Sequence, residues 1–80
     1  MSTVTVRYFA GARAAAGTVT ESAAAGSVSA LRQDLCTRHG ATFARVLGAS
    51  TLLCDGRPLA EDAVVPAGAT VEVLPPFAGG

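Results

Sequence analysis

Eighty residues with zero formal net charge make one small domain; half of them are hydrophobic but only 5% are aromatic. The apolar content is mostly Ala, Val and Leu, which leaves little volume to enclose a cofactor or a deep pocket and argues against a self-contained enzyme. All six cationic residues are arginines spread along the chain, so no basic stripe faces a phosphate backbone and nucleic-acid binding is not expected.

The first element is a strand. From Thr3 to Phe9, Val4, Val6 and Tyr8 alternate with Thr3, Thr5 and Arg7, the period-two signature of a half-buried strand. Ala10 to Ala16 is alanine-rich and reads as a short helical turn ended by Gly17. Thr18 to Ala23 opens with β-branched residues and predicts a second strand. Ser27 is a good N-cap for the best helix in the chain, Val28 to His39. Val28, Leu31 and Leu35 form its apolar stripe, while Arg32, Gln33 and Arg38 are expected to face water. Gly40 supplies the C-cap, and His39 falls in the last turn, where positive charge suits the helix dipole.

The second half is more broken. Thr42 to Leu47 predicts a short helix ending before Gly48, and Thr51 to Cys54 a compact apolar strand. Asp55-Gly56-Arg57-Pro58 is turn chemistry, Leu59 to Val65 reads as irregular, and Pro66-Ala67-Gly68 launches the final strand, Ala69 to Leu74. The order of elements predicts an α+β domain, with a mixed sheet and one main helix across one face. The first and last strands are expected to lie side by side in its middle.

Few residues could carry chemistry. Cys36 and Cys54 lack metal-ligand spacing, are too few for a disulfide framework and read as small buried hydrophobes. With a single histidine, neither a metal site nor a Ser/His/Asp or Cys/His set is expected. Glu61 and Asp62 are adjacent in a loop and do not converge on one substrate. Gly11 and Gly17 bracket a turn and match no phosphate loop. No signal segment or membrane-spanning run is visible, so a cytoplasmic, reduced protein is expected.

By elimination, attention falls on the final six residues, Pro75-Pro76-Phe77-Ala78-Gly79-Gly80. Two prolines stop ladder pairing, and a glycine pair without Cβ can lie extended in a channel too narrow for other residues. A Gly-Gly end alone suits any frayed terminus. Placed directly after the last strand and a stiff Pro-Pro spacer, it points instead to the Gly80 carboxylate as the group on offer. With Val71 and Val73 facing the helix, Leu74 turns outward beside Pro75, Pro76 and Phe77. Together with Phe9 they are expected to form an apolar partner-binding patch at the root of the tail.

These features carry a resemblance. The opening strand into Tyr8-Phe9-Ala10, with Arg13 and Gly17 after it, resembles the small subunit of molybdopterin synthase. So do the Ser27-Val28-x-x-Leu31 helix start and the final strand running into Pro-Pro-x-x-Gly-Gly. That subunit belongs to the MoaD/ThiS family of ubiquitin-like sulfur carriers, and the likeness covers nearly the whole chain. It implies a β-grasp fold of four to five strands over residues 1–75 and a flexible tail over 76–80.

The resemblance also implies a function. An E1-like (MoeB-like) enzyme would use ATP to adenylate the carboxylate of Gly80, which follows Gly79. A sulfur donor protein would then replace AMP to leave a thiocarboxylate. In complex with a large, MoaE-like synthase subunit, as a heterotetramer, the sulfur would pass to cyclic pyranopterin monophosphate. The chain itself would bind no cofactor and no metal. Two other readings stay open: a thiocarboxylate carrier for thiamin, cysteine or another sulfur metabolite, and a β-grasp interaction module whose Gly-Gly is incidental. Thiamin carriers are typically shorter and lack the Phe9–Gly17 segment. Without lysine, the chain is not expected to accept side-chain isopeptide links, so ubiquitin-style chains of itself are not foreseen.

Overall fold

Strand β1 (Thr3–Tyr8) shows the expected alternation: Val4, Val6 and Tyr8 are buried, while Thr3, Thr5 and Arg7 are exposed. The computed structural model describes residues 2–76 of the chain. The last described strand, β7 (Thr70–Leu74), buries Val71 and Val73 in the same way. β-Branched residues favour such half-buried pleated surfaces because they pack well against neighbours on the same face. β1 and β7 run parallel in contact, with Thr5 opposite Thr70 and Tyr8 opposite Val73.

The other strands extend this pair outward. β2 (Thr20–Ala24) lies antiparallel to β1, and β4 (Thr51–Cys54) antiparallel to β7. β5 (Arg57–Pro58) folds back on β4, giving the order β2-β1-β7-β4-β5. The two expected central strands are therefore central, and the mixed sheet has five strands, within the four to five expected. Several strands differ from the sequence reading: Arg57 and Pro58, read as part of a turn, form β5 because they pair back on β4. β2 starts at Thr20, because Thr18 turns its hydroxyl onto the Thr20 carbonyl at 2.9 Å instead of joining the ladder. The supposedly irregular Leu59–Val65 stretch contains β6 (Val64–Val65), paired with β3 (Gly26–Ser27) in a separate two-stranded ribbon. A two-residue ladder is too short to show a period in sequence, and Val64 is exposed.

Among the described residues three helices pack on the sheet, the expected main helix and the two short ones foreseen before and after it. They are α1 (Ala10–Ala16), α2 (Val28–His39) and α3 (Ala41–Ala49). α1 stops at Gly17, whose left-handed φ of 75° lets its N–H reach the Arg13 carbonyl. α2 starts as predicted: the Ala30 N–H donates to the Ser27 Oγ at 3.1 Å, and Val28, Leu31 and Leu35 are buried. The Gly40 N–H closes α2 on the Cys36 carbonyl, and α3 begins at once. Gly48 does not end α3. Burial of Phe43 and Leu47 outweighs the low helix propensity of glycine, and Ser50 closes the end through its N–H to Leu47 and its hydroxyl to Val46.

Both sheet edges are blunted. On β2, the Arg38 Nη1 donates to the Ser22 carbonyl at 2.6 Å, which with the Thr18 bond occupies two backbone acceptors. On the other side β5 carries Pro58, which has no N–H to offer a further strand. Positive φ at Asp55 (53°) and Gly56 (76°) makes the tight β4–β5 hairpin.

Tyr8, His39 and Arg38 converge on Glu21. The Tyr8 hydroxyl donates to Glu21 Oε2, and His39 Nε2 lies 2.5 Å from the same oxygen. Arg38 Nη1 reaches Glu21 Oε1 at 3.2 Å and Nη2 reaches Asp34 Oδ2 at 2.7 Å. His39 also packs against Phe43, with ring centroids 4.6 Å apart. One expectation is corrected here: His39 does not simply decorate the helix end but reaches Glu21. Arg38 is exposed, as expected, and joins His39 in tying α2 to the β1–β2 pair. Arg32 is likewise held, donating to the Leu47 carbonyl at 3.0 Å. Its Nε lies 2.5 Å from Glu61 Oε1 without the alignment of a hydrogen bond.

Burial alone would raise the Glu21 pKa, but hydrogen bonds from Tyr8, His39 and Arg38, with the His39 charge, hold it below the ordinary glutamate range. A carboxyl whose folded pKa is lowered stabilises the fold above its unfolded value, and that stability is lost as pH falls through the folded value. Thermal melts from neutral pH to about pH 3 should therefore show wild type losing stability more steeply than Glu21→Gln below about pH 4.5. At neutral pH the variant should be less stable by about 1–3 kcal/mol. Parallel curves would remove Glu21 from the acid response.

Candidate functional site

The site grows from the end of the β1–β7 pair. Phe9 follows β1, and its N–H donates to the Val73 carbonyl at 3.2 Å, extending the parallel ladder by one bond. Its own carbonyl accepts from the Ala12 and Arg13 N–H groups, at 3.1 and 3.4 Å, so Phe9 caps α1. Between these bonds Phe9 has little freedom. Ala10 then takes a left-handed φ of 50°, unusual without glycine and costing about 1 kcal/mol. That kink turns the chain from β1 into α1 and leaves Phe9 standing at the sheet end.

β7 supplies the opposite wall. Leu74 and Pro75 are half-buried, and Pro76 is exposed. Phe9, Ala10, Leu74 and Pro75 together line a concavity of about 320 Å³ with almost wholly apolar walls. The Arg7 guanidinium lies over the Phe9 ring, 5.3 Å from its centroid. Of the residues expected in the patch, Phe9, Leu74 and Pro75 come together, and Pro76 lies next to them on the outgoing chain. Phe77, Gly79 and Gly80 lie outside the described residues. Ala10 and Arg7 were missed by the sequence reading. Arg7 had a signal: it stands two residues before Phe9 and so shares its face by strand period.

Other candidates offer no competing chemistry. Among the described residues, no three His, Cys, Asp or Glu side chains gather as a metal site. Cys36 and Cys54 are free and half-buried, less enclosed than expected. Burial, then the Asp55 and Glu72 charges, push the Cys54 thiol pKa upward, so little of it is thiolate. Glu61 and Asp62 are exposed, and Glu61 serves Arg32. No described helix is long and apolar enough to cross a membrane.

Comparison with known proteins places this geometry. A structure from Pyrococcus furiosus, described as a candidate molybdopterin converting factor subunit 1, is 25% identical over 96% of this chain and 100% of its own, with a TM-score of 0.84. SAMP1 from Haloferax volcanii is 24% identical over 98% of this chain and 99% of its own, with a TM-score of 0.83. The small archaeal modifier protein SAMP1 from Methanosarcina acetivorans is 22% identical over 100% and 98%, also at 0.83. No curated protein gave a match to the chain. The ThiS family model matches residues 6–80, from the second half of β1 through the Gly-Gly end. On that match and on its sheet order, the chain belongs to the ThiS family of ubiquitin-like, β-grasp sulfur carriers.

Proposed function

We propose that this chain carries sulfur on its own C-terminus as the small subunit of a molybdopterin synthase. The observation that supports this most is where the tail begins. β7 is bonded on both sides, to β1 and β4, and leads through Pro75-Pro76 into a sequence ending Gly79-Gly80. A strand paired along both edges anchors the root, and residues without side chains let the tip enter a narrow partner site.

The chemistry then follows in two exchanges. A Gly80 carboxylate oxygen attacks the α-phosphorus of ATP on an E1-like adenylating enzyme, and pyrophosphate leaves. The acyl adenylate has a good leaving group where the carboxylate had none, so hydrosulfide supplied by a donor protein attacks the carbonyl, loses its proton and displaces AMP. The resulting thiocarboxylate is carried to a large, MoaE-like subunit in a heterotetramer, where its sulfur passes to cyclic pyranopterin monophosphate. The chain contributes the electrophile and the docking surface at Phe9, Leu74, Pro75, Pro76 and Phe77, and its partners contribute the catalytic groups. ATP is bound by the activating enzyme. Two free thiols support a reducing, cytoplasmic setting.

The match to the ThiS model favours one further reading, a thiocarboxylate carrier for thiamin, cysteine or another sulfur metabolite. One reconstitution separates the two. Thiocarboxylated chain mixed with the large synthase subunit and cyclic pyranopterin monophosphate should yield the dithiolene product with loss of the thiocarboxylate. A thiocarboxylate that survives intact, with no product, would assign the sulfur to another acceptor.

A further inference from the structure

The Phe9 concavity has a charged neighbour that the apolar-patch reading does not use. Arg7 is exposed on the outer face of the sheet, and its guanidinium stacks over Phe9. Its register partner across the β1–β7 pair is Glu72, yet the two side chains do not close into an ion pair. Arg32 and Arg38, by contrast, each hold a carboxylate of this chain. Arg7 therefore presents its hydrogen-bonding fork beside an apolar recess, at the point where the tail leaves the domain. Stacking on an aromatic face holds the guanidinium in place without using its in-plane N–H donors.

We infer that Arg7 is a recognition residue: the activating enzyme docks an apolar side chain between Phe9 and Leu74, with an adjacent carboxylate that pairs with Arg7. The inference rests on the sulfur-carrier reading for the identity of that partner. Charge complementarity selects the carboxylate, because a guanidinium on an apolar rim with no ion-pair partner among the described residues is stabilised by an anion that shares its edge. Arg7 thus acts on encounter and orientation and does not touch the reacting carbonyl.

The test is association kinetics of the full chain with the adenylating enzyme from the same genome, measured across a range of salt concentrations. Arg7→Gln should slow association roughly tenfold at low salt and flatten the salt dependence. Arg7→Lys should keep most of the salt dependence, and Glu72→Gln should not slow association. Leu74→Ala should speed dissociation while leaving the salt dependence as in wild type. Since Arg7 is exposed, circular dichroism melts of its variants should match wild type. An Arg7→Gln variant that associates at the wild-type rate with the wild-type salt dependence would overturn the inference, as would slowing by Glu72→Gln equal to that of Arg7→Gln. Binding is read without any sulfur chemistry. A wild-type chain that binds in this pattern but never acquires sulfur would sink the carrier reading alone, and a wild-type chain that does not bind would sink both.

Discussion

Removal of Gly80 should abolish sulfur delivery and leave the melting temperature nearly unchanged. The buried apolar residues among those described run from Val4 to Val73, and glycine has no side chain to remove from a core. The chemistry is less forgiving. Shortening an extended tail by one residue withdraws the reacting carbon by about 3.4 Å. Misplacement of even 1 Å can cost about 10²-fold in rate, so turnover with saturating partner should fall by at least that factor. Paired measurements of sulfur transfer and thermal unfolding on the same preparation check both halves. A large fall in melting temperature would make the end of the chain structural, and near-normal transfer would deny Gly80 its role.

Phe43→Ala should do the reverse, weakening the fold on which everything else depends. Phe43 is fully buried in α3, meets Tyr8 edge-on at 5.6 Å between centroids and packs against His39. Truncating such a ring leaves a cavity and costs about 3–5 kcal/mol. A domain of this length has only about 4–12 kcal/mol in total, so the variant should melt on the order of 15–30 °C lower. Urea unfolding gives the same quantity at constant temperature. Phe43→Leu should recover about half of the loss, because most of the volume returns. A variant losing less than about 1 kcal/mol would show that the α3 contact with the sheet is not a main support of the fold.

The contrast between these two variants reflects what the sequence could and could not reveal. β1, α2, β4 and β7 were legible because each carries its own period or cap: Val4, Val6 and Tyr8 in one case, Ser27 with Val28, Leu31 and Leu35 in another. Gly48 misled, since propensity alone ends a helix that the burial of Phe43 and Leu47 carries through. The β3–β6 ribbon was hidden because pairs of residues have no period. The bonds that His39 and Arg38 make were not foreseen, for a different reason. Their partner, Glu21, is 17 or 18 positions away, and nothing local announces that α2 will bring them to it. At the candidate site, Leu74 was placed on the outer face by the strand parity of β7, and the structure brings it together with Phe9. Arg7 was overlooked because a lone exposed arginine is ordinary until its guanidinium is seen over Phe9. The strained φ of Ala10 was not legible either, since alanine gives no warning of a left-handed turn.

The central claim is that the end of this chain is itself the reagent. Intact-mass measurement after incubation with the adenylating enzyme, ATP and a sulfur donor addresses it directly. The account predicts a single exchange of oxygen for sulfur, located by fragmentation at Gly80 and absent without ATP. An unchanged mass under turnover of the activating enzyme, or sulfur found on Cys36 or Cys54 instead, would contradict it.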